Sequence, residues 1–312
     1  MKELTVIIAF LNEGSEVYKT VKSLKENSDS EFEIILINDC STDGFDYKQV
    51  ATEFDTHYIE HDKRRGVAFS RDEGVNLCET KYFLLLDAHM RVYQRNWVEL
   101  FLKELKKNPK SLLCASTIAL DSRENIIEGY DSKVGFGATF RFSDFGVEWI
   151  SNINLCVKKS ANIADIPCVL GASYACSKEY WRFLLGLNGL RYYGCDEQYL
   201  SAKVWLAGGQ CKVVKNISFG HIFREAENLP YEGKGKEFVF NQLFITELFY
   251  NYYEKWKLLE DLRKKYGVDF INEVLSMLAS SKKEIIEMKE YYKSIFSHDM
   301  NYLLEINNSL ID

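Results

Sequence analysis

Asp87 and His89 stand two residues apart, directly after the apolar run Tyr82–Leu86, in the stretch "YFLLLDAHM". On an extended chain, positions two apart face the same side, so a carboxylate and an imidazole arrive together where a buried strand should end. Such a pair can be a metal half-site, a catalytic pair or an accident of the surface. A metal site needs a third ligand. Of the five histidines (57, 61, 89, 221 and 298), His221 is the best placed, in "SFGHIFRE", after the strand-like Cys211–Val214 and beside Gly220, where the backbone can bend. Two imidazoles and a carboxylate suit a divalent transition metal. Mixed nitrogen and oxygen ligation with positions open for phosphate oxygens fits Mn2+ better than Mg2+. The competing reading of His221 is a satisfied, half-buried histidine.

The elements that must position these residues follow from periodicity. Leu4–Phe10, Phe32–Ile37, His57–Glu60 and Tyr82–Leu86 read as strands. Between them, Val17, Val21 and Leu24 fall at helical spacing, Gly66–Cys78 can be helical, and Trp97, Leu100, Phe101 and Leu105 form a helical stripe. Strands alternating with helices imply an α/β, doubly wound, mostly parallel sheet, and such sheets bind ligands beyond the carboxyl ends of their strands. Asn12-Glu13, Asn38-Asp39 and Asp87-Ala88-His89 each lie just past a strand, so they describe one crevice. From Ser111 to about Pro230 short strands mix with glycine-rich loops. From Lys236 onward glycine and proline nearly vanish, and residues 236–312 read as a helical C-terminal region with one break near Tyr266-Gly267-Val268, set against a domain of residues 1–235. The aromatic stretch "FNQLFITELFYNYYEKW" is expected to pack on that domain, the alternative being a partner or homo-oligomer surface.

Composition bounds the possibilities. The 312 residues are 46% hydrophobic and 27% charged, ample for a large core. No apolar run approaches the roughly 20 residues of a transmembrane helix. The first residues read straight into a strand, so no cleaved leader is expected. A net charge of −7 argues against nucleic acid as a partner; the local basic cluster Lys63-Arg64-Arg65 reads as a solvated loop. The eight cysteines are scattered without a C-x-x-C pair, so free thiols in a reducing cytoplasm are expected and the sequons at Asn216 and Asn307 read as chance.

The segments "LTVIIAFLNEG", "EIILINDCSTDG", "RRGVAFSRDEGV" and "YFLLLDAHM" resemble the nucleotide-binding half of GT-A-type, family 2-like glycosyltransferases. "YYGCDEQYLSAKVWLAGGQ" and "SFGHIFR" are similar to the polypeptide N-acetylgalactosaminyltransferases, whose pattern is Trp-Gly-Gly-Glu-Asn, nine residues from that Glu to a Trp, then Gly-Gly and Gly-His-Val-Phe-Arg. Here Asp196 falls at the Glu position, Trp205 follows at the same interval, and Gly208-Gly209 and Gly220–Arg224 match, so the resemblance spans roughly residues 3–225. It implies a GT-A fold and a UDP-sugar donor, with Asp87, His89 and His221 as ligands of one Mn2+ or other divalent cation. By the same resemblance Asp39 accepts a hydrogen bond from the uracil ring, and Phe10, Asn12, Glu13 and Ala88 belong to the nucleotide pocket. Arg71 lies beside the nucleotide-sugar, Gly171-Ala172 against the donor sugar, and Arg224 beside the diphosphate.

The departures bear on specificity and mechanism. Gly171-Ala172-Ser173 replaces the family's Ala-Gly-Gly, which leaves the donor open between an N-acetylhexosamine and a hexose. Asp196 is one methylene shorter than the family's glutamate, Cys195 replaces a glycine and Tyr193 a tryptophan. Asp196 and Glu197 are therefore read either as grips on the sugar hydroxyls, as in a retaining enzyme, or as a general base, as in an inverting one. Without the anchor, stem and lectin domain of the family's secretory members, the chain reads as a bare catalytic domain, suited to a bacterial cytoplasmic enzyme with a protein, peptide or glycan acceptor. Two other readings are a nucleotidyltransferase, which would want a glycine-rich phosphate loop with a lysine that "FLNEGSE" lacks, and a non-catalytic nucleotide-sugar scaffold.

Overall fold

In the computed structural model, which describes residues 2–127, 134–151, 162–224 and 235–309, strand and helix alternate from the first residues. The order is β1 (Leu4–Phe10), α1 (Ser15–Glu26), β2 (Glu33–Asn38), α2 (Tyr47–Glu53), β3 (His57–Glu60), α3 (Val67–Leu77), β4 (Tyr82–Leu86), β5 (Met90–Val92) and α4 (Trp97–Lys107). The middle follows with β6 (Ser111–Leu120), β7 (Val134–Gly135), β8 (Ala138–Arg141), β9 (Gly146–Trp149), β10 (Ile163–Asp165), β11 (Ser173–Ser177), α5 (Lys178–Phe183), α6 (Asp196–Leu206) and β12 (Gln210–Ile222). The helical region comprises α7 (Lys236–Phe249), α8 (Tyr252–Tyr266), α9 (Val268–Ser280), α10 (Lys282–Ile295) and α11 (Met300–Asn308).

The main sheet runs β10-β12-β6-β11-β4-β1-β2-β3. It is parallel from β4 through β1 and β2 to β3 and again between β6 and β12, while β11 lies antiparallel between β4 and β6. Period-two alternation sorts β1 between two cores. Leu4, Val6 and Ile8 pack with Val17, Val21 and Leu24 of α1 and with Trp97, Phe101 and Leu105 of α4. Ile7, with Ile35, Ile37 and Phe83, faces the layer holding α3 and α6. Gly74 of α3 sits over β1, where an added Cβ would come 2.4 Å from Ile7 Cγ2; the close helix–strand approach needs the missing side chain.

The helical region joins that second core rather than standing apart. Phe240, Phe244 and Ile245 of α7 share one buried cluster with Ile7, Phe83 and Tyr174. Each such side chain contributes about 1.5–3 kcal/mol when fully buried. At the far end the Asn307 amide pairs with both backbone groups of Phe140, accepting from N at 2.7 Å and donating to O at 3.1 Å, so α11 is stitched to β8.

Two expectations need correction here. The helical region has breaks at Tyr250-Asn251, at Ser281 and at Phe296–Asp299 besides the expected one at Gly267. Two of these breaks carry helix starts on polar caps: a reciprocal capping box between Asn251 and Glu254, and Asp299 accepting from Asn301 N and Tyr302 N. The aromatic stretch also divides in two. Its first half is buried through Phe240 and Phe244, whereas Tyr252 (81%), Tyr253 (69%) and Trp256 (52%) are exposed on α8. Aromatic residues at helical spacing do not reveal which of two successive helices turns its stripe inward.

Candidate active site

A cleft of about 400 Å³ opens at the carboxyl ends of β1, β2 and β4. It is lined by Phe10, Glu13, Asp39, Arg71, Asp87, Ala88, His89, Gly171, Ala172, Asp196, Glu197, His221 and Arg224, which is every expected site residue except Asn12. Asn12 has a left-handed backbone (φ 54°). Its side chain accepts from Thr42 N at 2.6 Å and its backbone N–H donates to the Ser41 hydroxyl at 2.9 Å. It ties the β1 turn to the β2 turn and does not line the cleft.

On one wall, Asp87 leaves β4 with its amide bonded to Ala172 O at 3.0 Å. His89 begins the turn into β5, which pairs antiparallel with β12 and so draws His221 alongside. His89 Nε2 lies 3.1 Å from His221 Nε2, and His221 Nε2 lies 3.4 Å from Asp87 Oδ2. One ligand atom from each of the three residues falls within 4.8 Å of the others. Adjacent ligands about 2.1 Å from one octahedral ion stand roughly 3.0 Å apart, so the spacing fits a shared divalent cation. Protonation fits as well. Burial lowers the pKa of His221 and favours the neutral imidazole that ligates metal. Burial opposes the Asp87 charge, but its hydrogen bond with His221 and the nearby Arg71 guanidinium outweigh that and lower its pKa.

Glu13 does not reach toward a base. It turns back to the metal wall, where Oε2 lies 3.2 Å from His89 Nδ1 and the carboxylate accepts from both terminal nitrogens of Arg224, with Nη1 3.2 Å from Oε1.

The opposite wall is built on Arg71 of α3. Buried to 5% exposure, its guanidinium donates to Asp87 Oδ1 at 2.7 Å, to Asp196 Oδ2 and to the Tyr174 hydroxyl at 3.2 Å. Arg71 is thus a buried, fully partnered arginine and not a solvated residue of the helix surface. Tyr174 donates in turn to Asp196 at 3.0 Å. Asp196 and Glu197 open α6, as the sequence indicates, behind Cys195 in a left-handed conformation (φ 67°) where the family pattern has glycine. Glu197 lies against Gly171, where an added Cβ would meet its carboxyl carbon at 3.2 Å. Burial, reinforced by the charge of Asp196 and a hydrogen bond to it, raises the Glu197 pKa far above the usual carboxylate range.

At the floor, Asp39 accepts from Arg65 N and Gly66 N, each at 2.7 Å, and from His61 Nδ1 at 2.8 Å, while His61 Nε2 reaches Glu73 at 2.7 Å. Asp39 thus holds the loop that starts α3. Gly66 (φ 91°) is required there, because an added Cβ would stand 2.2 Å from Tyr192 Cα. Of the basic cluster, Arg64 lines the cleft and Arg65 stacks on Phe69 at 3.5 Å.

Two supporting residues escaped the sequence reading. Tyr174 occupies an ordinary strand position, and nothing in "GASYACS" separates a site tyrosine from a core one. Asn241 of α7, fully buried, accepts from Arg191 N at 2.8 Å and donates to the carbonyls of Arg191, Tyr193 and Gly194 at 2.8–3.2 Å, clamping the loop that leads into Asp196. Its one sequence signal is an amide inside the otherwise apolar stripe Phe240, Leu243, Phe244.

Residues 5–148 match the family model described as Glycosyl transferase family 2. That match covers a little under half of the chain, and it makes the strand-end cluster and the sheet that carries it similar to those of family 2 glycosyltransferases. Among curated proteins the chain is 28% identical over 266 residues to polypeptide N-acetylgalactosaminyltransferase 4 of Caenorhabditis elegans, covering 81% of this chain and 44% of that protein. It is 24% identical over 267 residues to human polypeptide N-acetylgalactosaminyltransferase 14, covering 81% and 46%. The chain thus spans less than half the length of these relatives. Among solved structures, GalNAc-T7 with UDP, GalNAc and Mn2+ superposes with a TM-score of 0.75 at 19% identity, covering 98% of this chain and 56% of that one. S. aureus TarS 1–349 with UDP-GlcNAc gives 0.53 at 14% identity, covering 85% and 73%. Among the described residues no helix is long and apolar enough to cross a membrane.

Proposed function

We propose that the chain is a divalent-cation-dependent glycosyltransferase that moves an N-acetylhexosamine or hexose from a UDP-sugar to a protein, peptide or glycan. The observation carrying this reading is the convergence of Asp87, His89 and His221 within 4.8 Å in the same cleft as Asp39, Arg71 and Asp196. The likeness to GalNAc-T7, whose structure holds UDP and Mn2+, supports it. Asp87, His89 and His221 would hold the cation, Mn2+ by the chemistry of the set. Bound there, it would supply Lewis-acid stabilisation of the charge that grows on the departing diphosphate.

The chain's own residues do the rest. Arg224 offers a cation at the metal wall, Asp39 holds the loop at the base end, and Gly171-Ala172 shape the donor-sugar pocket. Asp196 and Glu197 grip the donor sugar in this reading. Burial and the neighbouring Asp196 disfavour the charged Glu197 that a general base would need, and Asp196 already accepts from Arg71 and Tyr174. Both features favour retention over a general-base role. The nucleotidyltransferase alternative fares poorly, because the turn after β1 aims the Glu13 carboxylate into the cleft where that reading wants a phosphate-binding lysine. The curated relatives named above are animal enzymes, which lends no support to a bacterial, cytoplasmic source. Self-association is assigned in the same reading to α8, through Tyr252, Tyr253 and Trp256. The test is UDP release from a panel of UDP-sugars with and without Mn2+: release from at least one donor, abolished by chelation, is expected, and no release from any donor would overturn the proposal.

A further inference from the structure

The metal wall contains one buried carboxylate that belongs to neither the ion nor the sugar. Glu13, its side chain 7% exposed, stands in the turn between β1 and α1 and touches two functional groups at once. One contact runs to His89 Nδ1 at 3.2 Å, the other to the Arg224 guanidinium. The turn bearing Glu13 is itself fixed. The Thr20 hydroxyl, further along the chain within α1, donates to Ala88 O at 2.7 Å and accepts from Met90 N at 2.9 Å, so α1 is bolted to the backbone on both sides of His89. Glu13 therefore cannot drift relative to the imidazole it meets.

From this geometry we propose that Glu13 is a positioning residue that prepares the metal site and joins it to the diphosphate-binding arginine. Accepting a proton at Nδ1 fixes the His89 tautomer and leaves the Nε2 lone pair directed at His221 Nε2 and Asp87, where the cation belongs. A carboxylate behind a ligating histidine also raises its donor strength, and losing such a partner typically costs about 10–100-fold in metal affinity. The second contact holds Arg224, just beyond the strand end that carries His221, beside the same wall. Guanidinium has five N–H donors in a planar fork, so an arginine paired through its terminal nitrogens keeps further donors for an arriving phosphate. Loss of Glu13 should thus weaken the ion through His89 and the nucleotide through Arg224.

The inference rests on the metal-dependent reading above, and the experiment separates the two. Mn2+ binding in the presence of UDP is followed by the loss of the free-ion electron paramagnetic resonance signal, for the wild type, Glu13→Gln, Glu13→Ala and Asp87→Asn. The wild type should bind and Asp87→Asn should bind far more weakly. Glu13→Ala should lose about 10–100-fold, and Glu13→Gln, which keeps an acceptor for Nδ1–H and the side-chain shape, should lose less. Measured with Mn2+ alone, so that the Arg224 contact to nucleotide does not enter, Glu13→Ala in a His89→Ala background should change the affinity no further, the signature of action through His89 that a merely structural role would not give. Wild-type affinity in Glu13→Ala, or an equal additional loss in the His89→Ala background, would overturn the proposal while leaving the metal site standing. Absence of Mn2+ binding by the wild type would remove both.

Discussion

The two walls of the cleft each bury carboxylates, and they treat them in opposite ways. On the metal wall Glu13 has two partners able to carry positive charge. Burial opposes its charge, but the hydrogen bonds and charges of His89 and Arg224 overcome that and lower its pKa. On the sugar wall, Glu197 is buried beside another carboxylate. Burial and Asp196 both act against ionisation, and the one guanidinium in range, Arg71, is shared with Asp87 and Asp196. The difference is one of partner count rather than depth. In the proposed reading the first wall meets a cation and a phosphate, and the second meets the neutral hydroxyls of a sugar. Arg71 spans the two, donating to Asp87 and Asp196 together.

The largest effect should come from the metal wall. Asp87→Ala removes a ligand and also frees Arg71, so UDP release under saturating donor should fall by several kcal/mol of barrier, on the order of 10²–10⁴-fold. A loss under tenfold would break the division of labour between the walls. Next is the sugar wall. Asp196→Asn should depress donor hydrolysis and transfer together, by about 10²-fold, while Mn2+ affinity stays near that of the wild type. A general base would instead spare hydrolysis and cost transfer alone on the order of 10²–10⁴-fold, and inversion at the product anomeric proton, read by NMR, would confirm that alternative.

Asn241→Leu asks whether the sugar wall depends on the helical region. It leaves the amide of Arg191 and three carbonyls without their partner, and buried unsatisfied groups cost about 1–3 kcal/mol each. The midpoint of urea unfolding should fall and the apparent donor KM rise, with the metal site unaffected; unchanged KM would mean that α7 only packs. The smallest effect concerns His61, a cation between two carboxylates and so a third case of the same rule. Burial lowers its pKa, but Asp39 and Glu73 outweigh this and raise it above 6.5. Its contribution to stability is therefore complete below about pH 6.5 and is lost as pH rises through the folded value. The melting temperature of the wild type should decline more steeply above pH 6.5 than that of His61→Gln.

What the sequence discloses tracks how local the causes are. Strands β1 to β4 and helices α1, α3 and α4 follow from short apolar runs and helical stripes, and those four strands match the observed ones to within a residue, whereas the short α2 and β5 carry no such signal. The metal cluster is legible because Asp87 and His89 share one strand end and His221 lies in a motif. Glu13 and Asn12 are adjacent in sequence, yet one faces the cleft and the other turns to the β2 loop, a split decided by the positive φ at Asn12, which composition does not encode. The antiparallel insertion of β11 and the Asn241 clamp are contacts across 47 residues or more, beyond any local pattern. The helix breaks at Asn251 and Asp299 escape the sequence because a capping Asn or Asp and one on a helix surface look alike until the turn is seen.

The most direct measurement is anomalous scattering at the manganese edge from crystals grown with Mn2+ and UDP. One peak about 2.0–2.3 Å from Asp87, His89 and His221, touching diphosphate oxygens, is predicted. No peak in the cleft, or a single ion with His221 more than about 8 Å from it, well outside any coordination distance, would contradict the assignment.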